Sequence, residues 1–432
     1  MDSIWYKDIE INQFPKLQKD TRTDVAIIGG GMAGLLCAYQ LWKAGTDCLI
    51  IEADRICAGV TGNTTAKITL QHGLIYHKLI QKFGVETAQG YYLAQNAALN
   101  NYKDICMNIP CDFEEKSSVV YSCIDRKALE AETAALERIG CNAAFLEELQ
   151  LPLDTVGGVQ VNGQAQFHPL KFASAIANDL KILEHTRVLE IRKDCLITNK
   201  GNIKADKVIV TTHFPFLNKH GMYFMKLYQD RSYVLALKNA QDVGGMYVDA
   251  DKKGMSFRNF GEMLLLGGGS HRTGKAGGCW QELERFCSAH YPNAQIVTKW
   301  ATQDCMTLDG MPYIGLYSNR TPNLYVATGF NKWGMTSAMV SATVLCDLIQ
   351  GKKNDFAHIF EPARSILQPQ LASNIFESVK GLLTPTAPRC PHMGCALKYN
   401  KQEHSWDCSC HGSRFAENGK LLDNPATEDK KR

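Results

Sequence analysis

A chain of 432 residues with 45% hydrophobic and 21% charged residues has room for two or three domains and a sizeable buried core. A net charge of +3 without a basic cluster excludes a nucleic-acid footprint, and no run of about eighteen apolar residues offers a transmembrane segment. The start, Met1 to Asp8, lacks the apolar run of a signal peptide, so the expected location is cytoplasmic. Twelve of the sixteen cysteines are scattered without paired spacing and read as small buried hydrophobes kept reduced.

Asp24 to Ile28 is a short apolar run of strand character, followed at once by Gly29-Gly30-Gly31-Met32-Ala33-Gly34 and a helical pattern through Leu41. Gly29, Gly31 and Gly34 form G-x-G-x-x-G. The first glycine permits the tight turn, the second lets a pyrophosphate approach the backbone, and the third allows helix to pack closely on strand. Met32 and Ala33 open the helix whose N-terminus faces the phosphates. Cys48 to Ile51 reads as the next strand and ends in Glu52, a carboxylate placed to accept hydrogen bonds from a ribose. Gly267-Gly268-Gly269 also follows an apolar run, but Ser270 to Gly274 after it reads as a turn, which excludes a second nucleotide site.

From Glu52 onward the chain resembles the D-amino-acid oxidase, glycine oxidase and sarcosine oxidase superfamily of FAD-dependent oxidoreductases, and within it the branch with a C-terminal Rieske domain. The resemblance rests on several stretches. Gly59 to Lys67 stands where the family has a small, hydroxyl-rich loop along the flavin; Thr61, Thr64, Thr65 and Lys67 are its candidate contacts, the alternative being a polar surface loop. Gln166 to Lys171 resembles the entry into a returning helix, with His168 structural; Val188 lies in a strand similar to one whose backbone touches adenine. Ala205 to Thr212 resembles the strand that closes the nucleotide fold. Trp300 to Asp304, Asp309 to Gly315 and Val326 to Thr336 resemble the third flavin element, in which Gly329 lets the chain pass close and Gly334, Met335 and Thr336 open a helix toward the ring. By this resemblance the fold is α/β and α+β: a discontinuous Rossmann-like FAD-binding domain (20–80, 155–215 and 305–352), a mostly antiparallel substrate domain (81–154 and 216–304), a connector (353–380) and a small all-β Rieske domain (381–432). In the substrate domain, Val85 to Met107 and Lys127 to Ile139 read as amphipathic helices and Arg231 to Leu237 as a strand. A short helix is expected near Asn374 to Lys380. The resemblance implies a small-molecule substrate, with Tyr233, His271, Arg272, Tyr313 and Lys332 as candidate substrate-side residues. None of the five lies in a motif that names the substrate.

The end of the chain carries two boxes, Cys390-Pro391-His392 and Cys408-Ser409-Cys410-His411, with residues 393 to 407 between the ligand pairs. Two thiolates and two imidazoles form the ligand set of a Rieske 2Fe-2S cluster, in which Cys390 and Cys408 hold one iron, and His392 and His411 hold the other and raise the potential. Structural zinc sites repeat Cys-x2-4-Cys or end in His-x3-5-His, and neither pattern occurs here; zinc, or four unliganded side chains, is the alternative. The boxes resemble those of the Rieske proteins of cytochrome bc complexes. That resemblance implies a disulfide between Cys395 and Cys410, the alternative being two buried free thiols.

FAD accepts electrons in pairs and releases them singly, so its fusion to a one-electron centre points to a dehydrogenase of an amine or amino acid that passes electrons to an outside acceptor. An oxidase with a structural cluster and an electron carrier without an organic substrate are the alternatives. Two departures from the bc-type pattern stand out. The Rieske domain is shortened at its N-terminal side, so the flavoprotein must supply the missing cover or leave the cluster exposed. Phe415 stands where the bc-type proteins commonly have Tyr, while Ser413 is retained. Hydrogen bonds to ligand sulfur raise the potential, so the cluster should titrate below the bc-type proteins, within the range of roughly −150 to +300 mV. Phe415→Tyr should raise it in a redox titration; an equal or lower value in the variant contradicts the assignment.

Overall fold

The computed structural model describes residues 2–251, 254–385 and 388–430. Its first sheet has eight strands, in the order Tyr313–Leu316, Leu324–Thr328, Gly201–Val210, Thr21–Ile28, Cys48–Ile51 and Ile182–Leu183, with Val188–Arg192 and Cys195–Thr198 paired beside Gly201–Val210. Thr21–Ile28 runs parallel to both of its neighbours. A central parallel strand is covered on both faces, which is why Val25 to Ile28 are apolar without alternation and all buried. Met32–Lys43 and Gly334–Ile349 pack together on one face in the main core, and Phe214, Tyr223, Tyr313 and Tyr317 fill the second core on the other.

A nine-stranded sheet follows the order Gln295–Thr307, Leu227–Lys238, Met263–Arg272, Ser256–Phe260, Met246–Asp249, Glu114–Ser122, Gly157–Gln166 and Lys67–Ile68, with Ala143–Leu146 paired to Gly157–Gln166. Its pairs are antiparallel except Met246–Asp249 with Glu114–Ser122. Period-2 alternation gives the sheet two different faces. Val234, Ala236, Leu265 and Trp300 join the main core shared with the first sheet. Tyr233, Leu235, Leu237, Leu264 and Leu266 pack instead with Trp280 and Leu283 of helix Cys279–His290.

Most elements lie where the sequence places them, including Val85–Cys106 and Arg126–Arg138. Three differ. The turn expected over Ser270 to Gly274 begins later: Met263–Arg272 continues as strand, because its neighbour Leu227–Lys238 supplies a ladder as far as Asp230 opposite Arg272, and the chain turns only at Thr273 and Gly274. Lys67–Ile68 and Gly157–Gln166, grouped by sequence with the nucleotide unit, pair with each other, and Gly157–Gln166 pairs on its other side with Glu114–Ser122 in the second sheet. The helix expected near Asn374 to Lys380 spans Pro369–Leu383, with proline at its first turn, where the missing N–H costs nothing.

The C-terminal unit is an antiparallel meander of Leu397–Asn400, Ser405–Cys408, Arg414–Ala416 and Leu421–Asp423. Its own buried core is Cys390, Cys395, Leu397, Cys408, Cys410, Phe415 and Ala426, so it must lean on its surroundings.

The N-terminal residues form a latch that sequence patterning does not show. Trp5 is fully buried, its ring edge-on to Phe260 at 4.8 Å, and its indole N–H donates to the Thr64 carbonyl at 2.7 Å. Ser3 Oγ donates to the Gly62 carbonyl and Tyr6 OH to that of Cys57. Trp5→Ala should cost about 3–5 kcal/mol. Because the latch closes over residues 57–64, the melting temperature and the fraction of flavin retained on gel filtration should fall together.

Candidate functional site: nucleotide cradle and cluster loops

The glycine turn meets its geometric requirements. Gly29 has φ +110, and a Cβ on Gly34 would lie 1.9 Å from the Gly29 carbonyl oxygen. A Cβ on Gly31 would meet only Thr61 Oγ1, at 3.4 Å, so that side of the turn is open to a ligand. Met32 N–H donates to Thr61 Oγ1 at 2.9 Å, which fixes the 59–67 loop against the helix start; Ala33 and Gly34 follow in the first turn, whose N–H groups have no intrahelical acceptor. Glu52 accepts from Gly30 N–H at 2.7 Å and from Asp54 N–H at 2.9 Å, and burial pushes its carboxyl upward. The Glu52 carbonyl accepts from Thr186 N–H, which brings Val188, two residues on, to the same edge.

Further along the 59–67 loop, Thr64 Oγ1 caps Ala66 N–H, and Lys67 Nζ reaches Thr65 Oγ1 at 3.3 Å. Burial and the neighbouring Arg258 cation bring the Lys67 ammonium down to about 7, and burial brings Arg258 to about 9. Arg258 Nη1 donates to the Thr65 and Ala66 carbonyls, while its Nε and Nη2 are buried without a partner. Orphaned buried donors beside this loop are what a bound group rich in acceptors, such as a flavin, would satisfy. The opposing loop is held by Asn331, whose side chain accepts from Thr307 N–H at 2.8 Å and donates to the Gly329 carbonyl at 2.7 Å. Gly329, at φ +71, could not carry a Cβ, which would meet Thr307 at 2.3 Å; at Gly334 a Cβ would meet open space. Met335 and Thr336 then start the helix, tied to Tyr102 and to His72 and Thr69.

The two cysteine boxes converge. The Cys390 and Cys408 thiols are near enough to influence each other's ionisation, with the Ser413 hydroxyl and the His392 and Met393 N–H groups beside Cys390, and the Cys410 and His411 N–H groups beside Cys408. The His392 and His411 rings stand perpendicular with centroids 5.0 Å apart. Both Nδ1 atoms are buried and unpartnered, and burial lowers the two imidazoles to about 4 and about 3, so both are neutral. Two neutral imidazole nitrogens without partners beside two thiols fit a two-iron cluster. Cys395 and Cys410 form a disulfide that ties the loops together.

The cover that the shortened domain lacks comes from the flavoprotein part. Gln229 Nε2 donates to the His411 carbonyl at 3.0 Å, and Gln303 Nε2 to the Gly412 carbonyl and to Gln229 Oε1, both at 2.9 Å. Phe214 and Phe224 flank the His411 ring, and Asn218 Oδ1 lies 3.0 Å from His392 Nε2. Arg272, a candidate substrate residue by sequence, instead donates to the Ser409 and Cys410 carbonyls at 3.1 Å. Tyr233 and His271 are likewise redirected. They lie on the face of the second sheet that packs against helix Cys279–His290, Tyr233 OH meets His271 Nε2 at 3.0 Å, and the same hydroxyl donates to Glu403 at 2.9 Å. Tyr313 is fully buried in the second core under the Arg364 guanidinium, 3.9 Å from its ring centre. Of the five candidates Lys332 alone is exposed over the flavin-side face, with Nζ 3.3 Å from Ser270 Oγ.

Sequence reading gave no role to several residues that the structure brings forward. Glu403 is clasped by Arg231 and Arg414, both nearly buried. Asp304 sits directly opposite Asp230 across the Gln295–Thr307 and Leu227–Lys238 pair. Alternation places Asp304 and Thr302 on the same face as Trp300, whose indole donates to the Asn63 carbonyl in the 59–67 loop. Burial raises the Asp304 carboxyl to about 6, against the pull of Lys332 and Arg231. The signal for Gln229 and Arg231 was available: a contiguous polar run, Gln229 to Ser232, near the start of an otherwise apolar strand.

A Rossmann-like cradle joined to a four-strand unit with paired Cys and His loops defines a flavoprotein carrying a Rieske centre. Residues 24–348 match the FAD dependent oxidoreductase family (DAO), and residues 365–431 match the Rieske [2Fe-2S] domain. The chain belongs to that oxidoreductase family, and FAD and a 2Fe-2S cluster are its cofactors. YhfW of Bacillus subtilis (strain 168), a protein named for a Rieske 2Fe-2S centre, is 33% identical over 98% of this chain and 96% of its own length. The gamma-glutamylputrescine oxidoreductase of Escherichia coli (strain K12) is 22% identical over 79% of this chain and 87% of its own. Among solved structures, glycine oxidase from Geobacillus kaustophilus superposes with a TM-score of 0.67 at 20% identity, covering 80% of this chain and 99% of the oxidase. Among the described residues no helix is long and apolar enough to cross a membrane.

Burial works to raise the Glu403 carboxyl, but Arg231, Arg414 and Tyr233 hold it at about 2. A carboxyl depressed in the folded state stabilises it above the unfolded value, and that contribution is lost as pH falls from about 4.5 toward about 2. Docking of the cluster unit should therefore weaken across that window, as followed by protease sensitivity of residues 384–430. Glu403→Gln should already be sensitive at neutral pH, because it leaves the buried Arg231 guanidinium without its carboxylate, at about 3–5 kcal/mol, while Arg414 keeps Asp407 and Asp423.

Proposed function

We propose that the chain is a dehydrogenase that oxidises a small amine or amino acid and passes the electrons singly, through the cluster, to an outside acceptor. Bound FAD would supply acceptance of an electron pair from a substrate C–H bond and release of single electrons. The protein groups that would hold it are Gly29, Gly31, Met32, Ala33, Gly34 and Glu52 at the dinucleotide, Val188 at the adenine, and Thr61, Thr64, Thr65, Lys67, Gly329, Gly334, Met335 and Thr336 around the ring. Cys390 and Cys408 would hold one iron of the cluster and His392 and His411 the other.

One observation carries the reading. The Gln295–Thr307 strand touches the cluster loop at Gln303 and the 329–334 loop at Cys305 and Thr307, through bonds from Asn331 N–H to the Cys305 carbonyl and from Thr307 N–H to Asn331. The two contacts are four residues apart at most, about 13 Å of extended chain. A cluster serving only as a structural staple needs no such continuity with the flavin loop. On the substrate side, Asp304 lies opposite Asp230 and feels the charge of Lys332, an arrangement suited to a substrate with both an ammonium and a carboxylate. A relative named for an amine and a structural neighbour named for an amino acid support the same substrate class.

Anaerobic addition of candidate amines and amino acids tests the route. Flavin absorbance should bleach and the cluster EPR signal should appear within the same turnover; bleaching with a cluster that never reduces would falsify transfer through it. Asp304→Asn should lower kcat/KM for a cationic substrate about 10²-fold. In the wild type this parameter should rise with pH through about 6, as Asp304 becomes charged, and that limb should vanish in the variant.

A further inference from the structure

Helix Pro369–Leu383 is amphipathic in the inverted sense. Its small and polar side faces the protein: Asn374 accepts from Arg272 and donates to the Met225 carbonyl, Glu377 pairs with Lys275, and Gly381 lies so close to the disulfide that a Cβ there would meet Cys410 Sγ at 2.5 Å. The opposite side carries Leu371, Ile375, Phe376, Val379, Leu382 and Leu383 at helical spacing. Phe376 is 63% and Leu383 77% exposed, and Ile375, Val379 and Leu382 are each close to half exposed. Leu382 approaches Gly394, and Met393 beside it in the first cluster box is also exposed, so the stripe continues onto the cluster loop. The apolar surface amounts to roughly 600 Å², at the upper end of what a monomer carries.

Charge selects the occupant. Lys380 lies on the helix beside Phe376 and Leu383, Arg389 donates to the Gly381, Leu382 and Thr384 carbonyls at its C-terminal end, and Lys82 reaches Gln368 at the other. None of the three is in an ion pair among the described residues, and the single acid of the helix, Glu377, is turned inward. Against a second copy of the same face these cations would repel; against anionic headgroups they are complementary. We propose that this helix lies in the surface of an anionic lipid bilayer, with its apolar stripe inserted among the acyl chains and the first cluster box beside the lipid. This surface does not depend on which substrate the flavin site takes.

The holoprotein should sediment with mixed phosphatidylglycerol–phosphatidylcholine vesicles and less with phosphatidylcholine alone. The double variant Phe376→Ser/Leu383→Ser should lose about tenfold or more of that partitioning while keeping its cluster and flavin absorbance. Lys380→Glu, which leaves the stripe intact, should weaken binding to the anionic vesicles selectively. Absence of vesicle binding by the wild type, or binding unchanged in the double variant, overturns the proposal. So does a dimer by light scattering that dissociates in the double variant without any lipid binding, which would make the stripe a contact between copies.

Discussion

The paired amides of Gln229 and Gln303 are the contact on which the two halves of the molecule depend. The cluster loops present backbone carbonyls at His411 and Gly412 that the short C-terminal meander cannot satisfy, and a buried carbonyl left alone costs about as much as a lost hydrogen bond. The two glutamines also bond each other, and Thr273 donates to Gln303, so each amide is oriented before it meets the loop. They sit on adjacent strands of the second sheet, which makes an edge of the flavoprotein into one wall of the cluster site.

Around that clasp lies an ion network whose value is registration more than stability. Arg231, Glu403, Arg414, Asp407 and Asp423 bury charges of both signs at the same boundary. Taking them from water costs nearly what their attraction returns, so a hydrophobic contact of equal area would hold the units at least as firmly. A hydrophobic contact would, however, tolerate sliding. The forked geometry of Arg231 on Glu403, with Tyr233 on the same carboxylate, admits one position, and that position sets the cluster loop over Gln303.

How much of this was legible beforehand follows from where each signal resides. The glycine turn, its flanking strands and the cysteine and histidine boxes are local patterns, because turn geometry and ligand chemistry act within a few residues. The paired thiols, the unpartnered imidazole nitrogens and the need for outside cover were readable for that reason. The roles of Tyr233, His271 and Arg272 were not, since a strand's two faces look alike in sequence until something is known to pack on each. A shift of one residue turns a side chain from the flavin side to the helix side. Asp304 was given no role within its flavin-element stretch for the same reason, and Trp5 went unnoticed because a latch closed by one indole and two hydroxyls has no periodicity. The stretch Ser270 to Gly274 was placed too early as a turn, since the ladder carries the strand to Arg272; the glycines at 267–269 lie within that strand and permit close approach of its neighbours, as Ser256 and Cys279 show.

The helix Pro369–Leu383 shows how a cofactor can shape a surface remote from any ligand. Its inner side must lie against the Cys395–Cys410 bridge and the carbonyl-rich second box, where there is space for Gly381 and hydrogen-bonding work for Asn374, but no room for a large side chain. An ordinary helix on such a site would be polar outside and small within, and its contribution to folding would be slight. Here leucine, isoleucine, valine and phenylalanine occupy the outer positions, although they add nothing to the packing against the protein and raise the risk of aggregation. Stability of the isolated chain therefore does not account for them. Their regular spacing on one arc, bounded by Lys380, is the pattern of a surface shaped by something outside the chain.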